Sequence, residues 1–279
     1  MTAEIRGASS AIRVTPDPRP LTPDVSLEGA ATAAPRLEWR VATVADVRQE
    51  TSHARTLMLD VPQWPGHRAG QHVDVRLVAE DGYEAERSYS IASPPEDPTV
   101  ALTVERLGDG EVSPYLCDVL HAGDGLELRG PIGGYFVWDF AQGGPLLLAA
   151  GGSGIVPLMA MLRHHARADP AVRASVPVHL IYSVRAWDDV LYREELERLA
   201  ERPEVQVTFT LTRDPPVSWQ GYRRRIDRAI LELESWPASE TPLAFVCGPT
   251  PFVESVATLL VALGHDPARV RTERFGPTG

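Results

Sequence analysis

The chain has 279 residues, 43% hydrophobic and 23% charged, enough to bury one large or two medium cores. Its net charge of -11 argues against a nucleic-acid binder, which needs a basic surface to displace counterions. Two cysteines, Cys117 and Cys247, cannot supply the four thiolates of a plant-type iron–sulfur cluster.

Met1 to Ser10 carries charges and no apolar run, so no signal peptide is expected, and a reducing cytoplasm is the simpler location. Residues 1–35 hold five prolines (Pro16, Pro18, Pro20, Pro23 and Pro35) and no aromatic, too little to offset the entropy of ordering. They read as a disordered tail, with a docking arm as the functional alternative. From Trp39 to about Trp138 the pattern is short strands: Val73, Val75 and Leu77 alternate with polar residues, as do Val100, Leu102 and Val104. Glycines and prolines punctuate them, predicting an antiparallel barrel over 36–141. Ser113-Pro114 predicts an N-cap and first-turn pair for a helix over Tyr115–His121.

After Gly143-Gly144 the texture changes. Pro145–Ala150 is a continuous apolar run followed by glycines and a helix from about Pro157. Those breaks make a strand–turn–helix a better account of Pro145–Leu162 than a membrane span. Val178–Tyr182, Val205–Thr210 and Leu243–Val246 predict further strands, with helices near Leu191–Glu201 and from Pro251. Strands alternating with helices predict a doubly wound parallel α/β sheet over 142–279. No metal-ligand spacing is present: His164 and His165 are adjacent on a helix, face different directions, and are expected to be solvated.

Several short segments could carry chemistry. Arg87-Ser88-Tyr89-Ser90 offers a guanidinium for phosphate, a ring to stack on a flat heterocycle, and hydroxyls to bond ring nitrogens. Strand alternation would turn Tyr89 away from Ser88 and Ser90. The bland alternative is a surface face. Gly110-Glu111-Val112-Ser113, before a helix, is either an anion cradle or an ordinary turn and cap. Gly151-Gly152-Ser153-Gly154-Ile155 lies between a buried strand and a helix, where open α/β sheets bind dinucleotides, although the third glycine of the Rossmann pattern is missing. Cys247-Gly248-Pro249 ends another strand at the same edge. The final Glu273-Arg274-Phe275-Gly276 would either cover a site or fray.

Together with Gly70-Gln71 and Gly130-Pro131-Ile132-Gly133-Gly134-Tyr135-Phe136, these pieces in this order resemble the ferredoxin–NADP reductase family from about Trp39 to the last residue. The resemblance implies an FAD-binding barrel followed by an NAD(P)H domain. Arg87 would hold the flavin phosphate, Tyr89 would stack on the isoalloxazine, and Ser90 would bond N5. Gly110, Glu111, Val112 and Ser113 would cradle the FAD pyrophosphate. Gly152, Ser153, Gly154 and Ile155 would take the nicotinamide nucleotide's pyrophosphate, with Cys247, Gly248 and Pro249 beside the nicotinamide. Glu273 would sit near the flavin, with Phe275 on the ring face. Two departures stand out: Ala69-Gly70-Gln71 replaces Pro-Gly-Gln, and four residues follow Phe275, which would place the closing aromatic differently.

The expected activity is transfer from NAD(P)H through FAD to a separate redox protein, such as a ferredoxin or oxygenase component. A reductase of quinones, free flavin or dioxygen is the second reading, and a non-catalytic flavin or nucleotide module the third. Ser183, Arg185 and Arg193, after the second strand of the nucleotide sheet, favour NADPH over NADH, because hydroxyl and guanidinium groups bond a 2′-phosphate. The alternative is that Arg185 merely pairs with Asp188 or Asp189. Arg223, Arg224 and Arg225 offer a local basic patch for a partner.

Overall fold

A computed structural model describes residues 37–79 and 81–276; the expected tail lies outside them. The N-terminal half is built from β1 (Trp39–Thr51), β2 (Ala54–Asp60), β3 (His72–Val78), β4 (Glu84–Ser90), β5 (Val100–Glu105) and β6 (Gly125–Ile132). They pair antiparallel in the order β4-β3-β6-β1-β2-β5. A bridge from Ile91, just past β4, to Leu102 in β5 brings the two ends together and closes the barrel. The alternation read in β3 and β5 is the inward face: Val73, Val75, Leu77, Val100, Leu102 and Val104 share one core.

The C-terminal half holds β7 (Leu146–Gly151), α1 (Ile155–Arg167), α2 (Pro170–Ala174), β8 (Val178–Ala186), α3 (Arg193–Ala200) and β9 (Val205–Asp214). It continues with α4 (Arg228–Glu234), β10 (Leu243–Pro249), α5 (Thr250–Ala262) and β11 (Val270–Phe275). Its five strands are parallel in the order β11-β10-β7-β8-β9. β7 is buried at every position because helices cover both its faces, which explains a continuous apolar run without alternation. The chain steps outward through β8 and β9 and then returns to the other side of β7. The crevice between the carboxyl ends of β7 and β10 is therefore the topological switch point, where such sheets bind ligands.

Helix α1 fixes how the halves meet. Ile155 to Leu162 are all buried, packing with the strand residues Leu148 and Phe245 and with Ala69, Ala92, Ala101 and Trp138 from the barrel side. The face of β5 that points out of the barrel is thus a second core face. Its Thr103 hydroxyl bonds Thr56 at 2.7 Å and receives the Tyr192 hydroxyl from the nucleotide half. Arg163 of α1 crosses the same seam to the Ala92 carbonyl at 2.8 Å.

Two local expectations need correction. The turn after Ser113 is a short π-type segment, Tyr115–Val119, and Ser113 does not cap it: its hydroxyl accepts the Leu107 N–H at 3.0 Å, closing the preceding loop. The histidines are not solvated. His165 is buried and bonded to the Val176 carbonyl at 2.9 Å, while His164 pairs with Glu96 at 2.5 Å, because α1 is covered on nearly every side.

Candidate active site

β4 delivers its last residues to the crevice with the alternation the sequence suggests. Ser88 turns out of the barrel, donating to Asp74 at 2.6 Å, and Arg129 holds the other Asp74 oxygen at 3.0 Å. Tyr89 turns inward against the barrel core, and burial pushes its phenol well above the usual range. Ser90 is half-buried and donates to Glu273 of β11 at 3.5 Å, the outer limit of a hydrogen bond, across 183 positions.

Glu273 stands opposite Cys247 in the parallel pairing of β10 with β11. Burial raises the Glu273 carboxyl to about 7, with the Ser90 hydroxyl partly opposing it. Cys247 is fully buried, and burial together with the Glu273 charge pushes its thiol up, so it is a protonated group rather than a nucleophile. Ser90, Cys247 and Glu273 thus form one polar cluster between the barrel and the carboxyl edge of the sheet. Phe275, opposite Pro249, is half-buried against the nucleotide core.

The glycine turn divides its labour. A Cβ on Gly154 would lie 2.1 Å from the Cys247 carbonyl oxygen, and one on Gly151 or Gly248 would strike the Phe252 ring at 2.8 Å. These glycines let β7, β10 and the start of α1 pack, which is the task of the third glycine in the Rossmann pattern. Gly152 differs: its φ of +55° is left-handed, and nothing lies within 4 Å of the Cβ position. The open backbone of Gly152 and Ser153, directly before α1, fits an anionic phosphate. Ile155 is buried beneath it.

On the barrel, Arg87 is exposed and pairs with Glu111 at 3.1 Å, and the Tyr83 hydroxyl donates to the other Glu111 oxygen at 3.0 Å. The backbone N–H groups of Glu111, Val112 and Ser113 reach no protein acceptor among the described residues. A Cβ on Gly110 would lie 2.9 Å from the Ser113 hydroxyl, so a larger residue there would displace the hydroxyl that accepts the Leu107 N–H. An arginine beside orphan amides suits a phosphate group.

Ser183 is buried at the carboxyl end of β8, paired with Gly151, and Arg185 emerges exposed two residues on. The alternative pairing of Arg185 with its acidic neighbours does not occur: Asp189 receives the Ala186 N–H at 3.1 Å, and Asp188 lies 4.0 Å from Arg193. Arg193 also covers Trp187, which packs with Phe209 and Trp219. This aromatic group is not anticipated by the sequence reading, although Trp187 follows Arg185 by two residues. In the basic run, Arg223 is held by the Trp219 carbonyl at 2.8 Å and Arg224 by Asp227 at 2.6 Å.

A separate cleft of about 430 Å³ lies between the barrel and helices α1 and α3, lined by Arg48, Thr56, Arg163 and Arg202 among others. None of the Ser90 cluster lines it, and Glu195 holds its central Arg163 at 2.6 Å.

Comparison with known proteins resolves the family. Residues 41–137 match the oxidoreductase FAD-binding domain and residues 148–258 the oxidoreductase NAD-binding domain. The chain is 34% identical over 238 residues to the glycine betaine monooxygenase reductase subunit of Chromohalobacter salexigens, covering 83% of this chain and 63% of that protein. The chain belongs to the ferredoxin–NADP reductase family. A second relative of this family, the ferredoxin reductase component of a 3-ketosteroid-9-alpha-monooxygenase from Rhodococcus rhodochrous, is 30% identical, with 84% and 64% covered. The chain therefore spans a little under two thirds of the length of these relatives. Among solved reductases, a cytochrome P450 reductase from Amycolatopsis superposes with a TM-score of 0.74 at 29% identity, covering 87% of this chain and 71% of that one. The paired barrel and parallel sheet are the two-domain fold of such reductases, and the chain carries an FAD site and a nicotinamide-nucleotide site. Among the described residues, no helix is long and apolar enough to cross a membrane.

Proposed function

We propose that this chain oxidises NADPH through bound FAD and passes the electrons to a separate redox protein. One observation carries the reading: Ser90, Cys247 and Glu273, from three distant segments, converge where the flavin barrel meets the open nucleotide edge. When bound, FAD accepts a hydride and releases electrons singly. The protein's task is to bind, orient and exclude water. Arg87 and the amides of Gly110 to Ser113 would hold the flavin phosphates, Ser88 braces the strand through Asp74, and the part of Tyr89 that the barrel core leaves exposed would meet the ring. Ser90 donates to the ring nitrogen N5, Phe275 covers the exposed ring face, and Glu273 holds a proton at the crevice. Gly152, Ser153 and the start of α1 take the nucleotide phosphates, and Cys247, Gly248 and Pro249 flank the nicotinamide.

Both curated relatives are reductase components named for monooxygenases, which supports an oxygenase component or its iron–sulfur carrier as acceptor. Both cysteines are free and buried, in keeping with a reducing cytoplasm. Acceptor profiling tests the function: NADPH oxidation should be supported with the highest kcat/KM by an iron–sulfur protein. A higher value with quinone, free flavin or dioxygen overturns the choice of acceptor. Cofactor released by heat should run with FAD on chromatography, and recovery of FMN alone would contradict the two-part phosphate site.

Coenzyme preference rests on Arg185, exposed and without a carboxylate partner among the described residues, next to Ser183. A guanidinium bonding a 2′-phosphate contributes about 1.5–3 kcal/mol, so Arg185→Ala should lower kcat/KM for NADPH on the order of tenfold or more and spare NADH. Steady-state kinetics with both nucleotides measure this. An unchanged ratio shows that Arg185 does not read the phosphate.

A further inference from the structure

Glu111 occupies an unusual place for a carboxylate. It lies in the loop whose free amides suit a phosphate, and it engages the very guanidinium that the phosphate would need. One oxygen accepts from Arg87 at 3.1 Å and the other from the Tyr83 hydroxyl at 3.0 Å, so β4 and the turn just before it both hold the carboxylate. Arg87 and Glu111 are each about half exposed, so the pair can open without disturbing the core. The Arg87 head has one further contact, to the Glu86 carbonyl at 2.7 Å, which does not compete for a phosphate.

We propose that Glu111 is a charge gate at the flavin phosphate site and selects FAD against FMN. The proposal rests on the flavin reading above. A phosphate that binds Arg87 must share the guanidinium with Glu111 or displace it, and in either case it meets a fixed negative charge. The penalty grows with the phosphate's own charge. A phosphomonoester such as FMN carries about -1.5 to -2 on one phosphorus at neutral pH. In the FAD pyrophosphate the charge is divided, one unit on each phosphorus, so the phosphate that meets Arg87 and Glu111 brings a single charge there. Both groups are exposed, so water screens the repulsion and the effect is a several-fold one rather than an absolute block. Glu111 therefore weakens the doubly charged terminal phosphate of FMN more than the singly charged phosphate of FAD, while Arg87 attracts both.

The test is titration of the flavin-stripped full chain with FAD and with FMN, followed by quenching of flavin fluorescence. Wild type should prefer FAD. Glu111→Gln should tighten FMN roughly tenfold and FAD roughly threefold, narrowing the preference about threefold. Glu111→Asp keeps the charge and should keep the preference. In an Arg87→Ala background the gain from Glu111→Gln should shrink, because part of it is release of the guanidinium; a general loosening of the loop would show no such coupling. Equal gains for the two flavins, no gain, or weaker binding in Glu111→Gln overturns the gate while leaving the flavin reading intact. A wild-type chain that binds neither flavin removes both.

Discussion

Alanine at Ser90 should leave FAD binding near the wild-type level and slow bleaching of the flavin by NADPH on the order of 10²-fold. The serine ends β4, where its backbone pairs with His72, and alanine preserves that pairing, so the strand is unaffected. What disappears is one hydroxyl at the meeting point of the two halves, half-buried and aligned with Glu273. A donor fixed before reaction stabilises developing charge without reorganisation, and removal of one such donor costs about 2.7–4 kcal/mol in comparable sites. Phosphate contacts lie elsewhere, at Arg87 and the 110–113 loop, so affinity and rate should separate. Stopped-flow reduction of the FAD-loaded variant reads the rate directly. If reduction is as fast as in wild type, Ser90 is not the ring-nitrogen partner.

Much of this arrangement is legible in the residues, and the reason is periodicity. β5 shows its inward face as Val100, Leu102 and Val104, and β7 shows burial on both faces as an unbroken apolar run. The turn at Gly151–Gly154 follows from glycines between a strand and a helix. What periodicity does not carry is the partner of a polar side chain. Glu111 reads as one residue of a backbone cradle, whereas its carboxylate holds Arg87 from 24 positions away. The Tyr192 hydroxyl reaches Thr103 across 89 positions, and nothing local to either announces it.

The ends of elements mislead for a related reason. Ser113 has the residue type of an N-cap, but its hydroxyl finds a nearer donor in Leu107. The residues of β11 suggest only a terminal peptide, because Val-Arg-Thr-Glu-Arg-Phe has too few apolar side chains to read as a strand. The strand forms because β10 presents a free edge, with Ala244 to Pro249 pairing Val270 to Phe275 in register. That register places Glu273 opposite Cys247, so the site's acid depends on an edge strand whose existence is tertiary.

The same placement gives Glu273 a measurable effect on stability. Its folded-state carboxyl titrates at about 7, raised from 4.5 by burial. Below about pH 4.5 the group is neutral in both states and contributes no difference. Between about 4.5 and 7 the unfolded chain ionises while the folded chain keeps its proton, so the folded state binds more protons and stability falls as pH rises. The loss is complete above about 7 and is on the order of 3 kcal/mol, since each tenfold change in proton affinity is worth about 1.4 kcal/mol. Glu273→Gln removes the titration while keeping a polar amide near Ser90. Urea unfolding at intervals from pH 4.5 to 8.5 should show the two proteins diverging, with the variant gaining on wild type up to pH 7–8 and then running parallel. The pH dependence of flavin reduction supplies an independent readout: a step near 7 in wild type should vanish in the glutamine variant. Parallel stability curves across the whole range would show that Glu273 is solvated and ionised throughout, and the protonated carboxyl at the crevice would have to be abandoned.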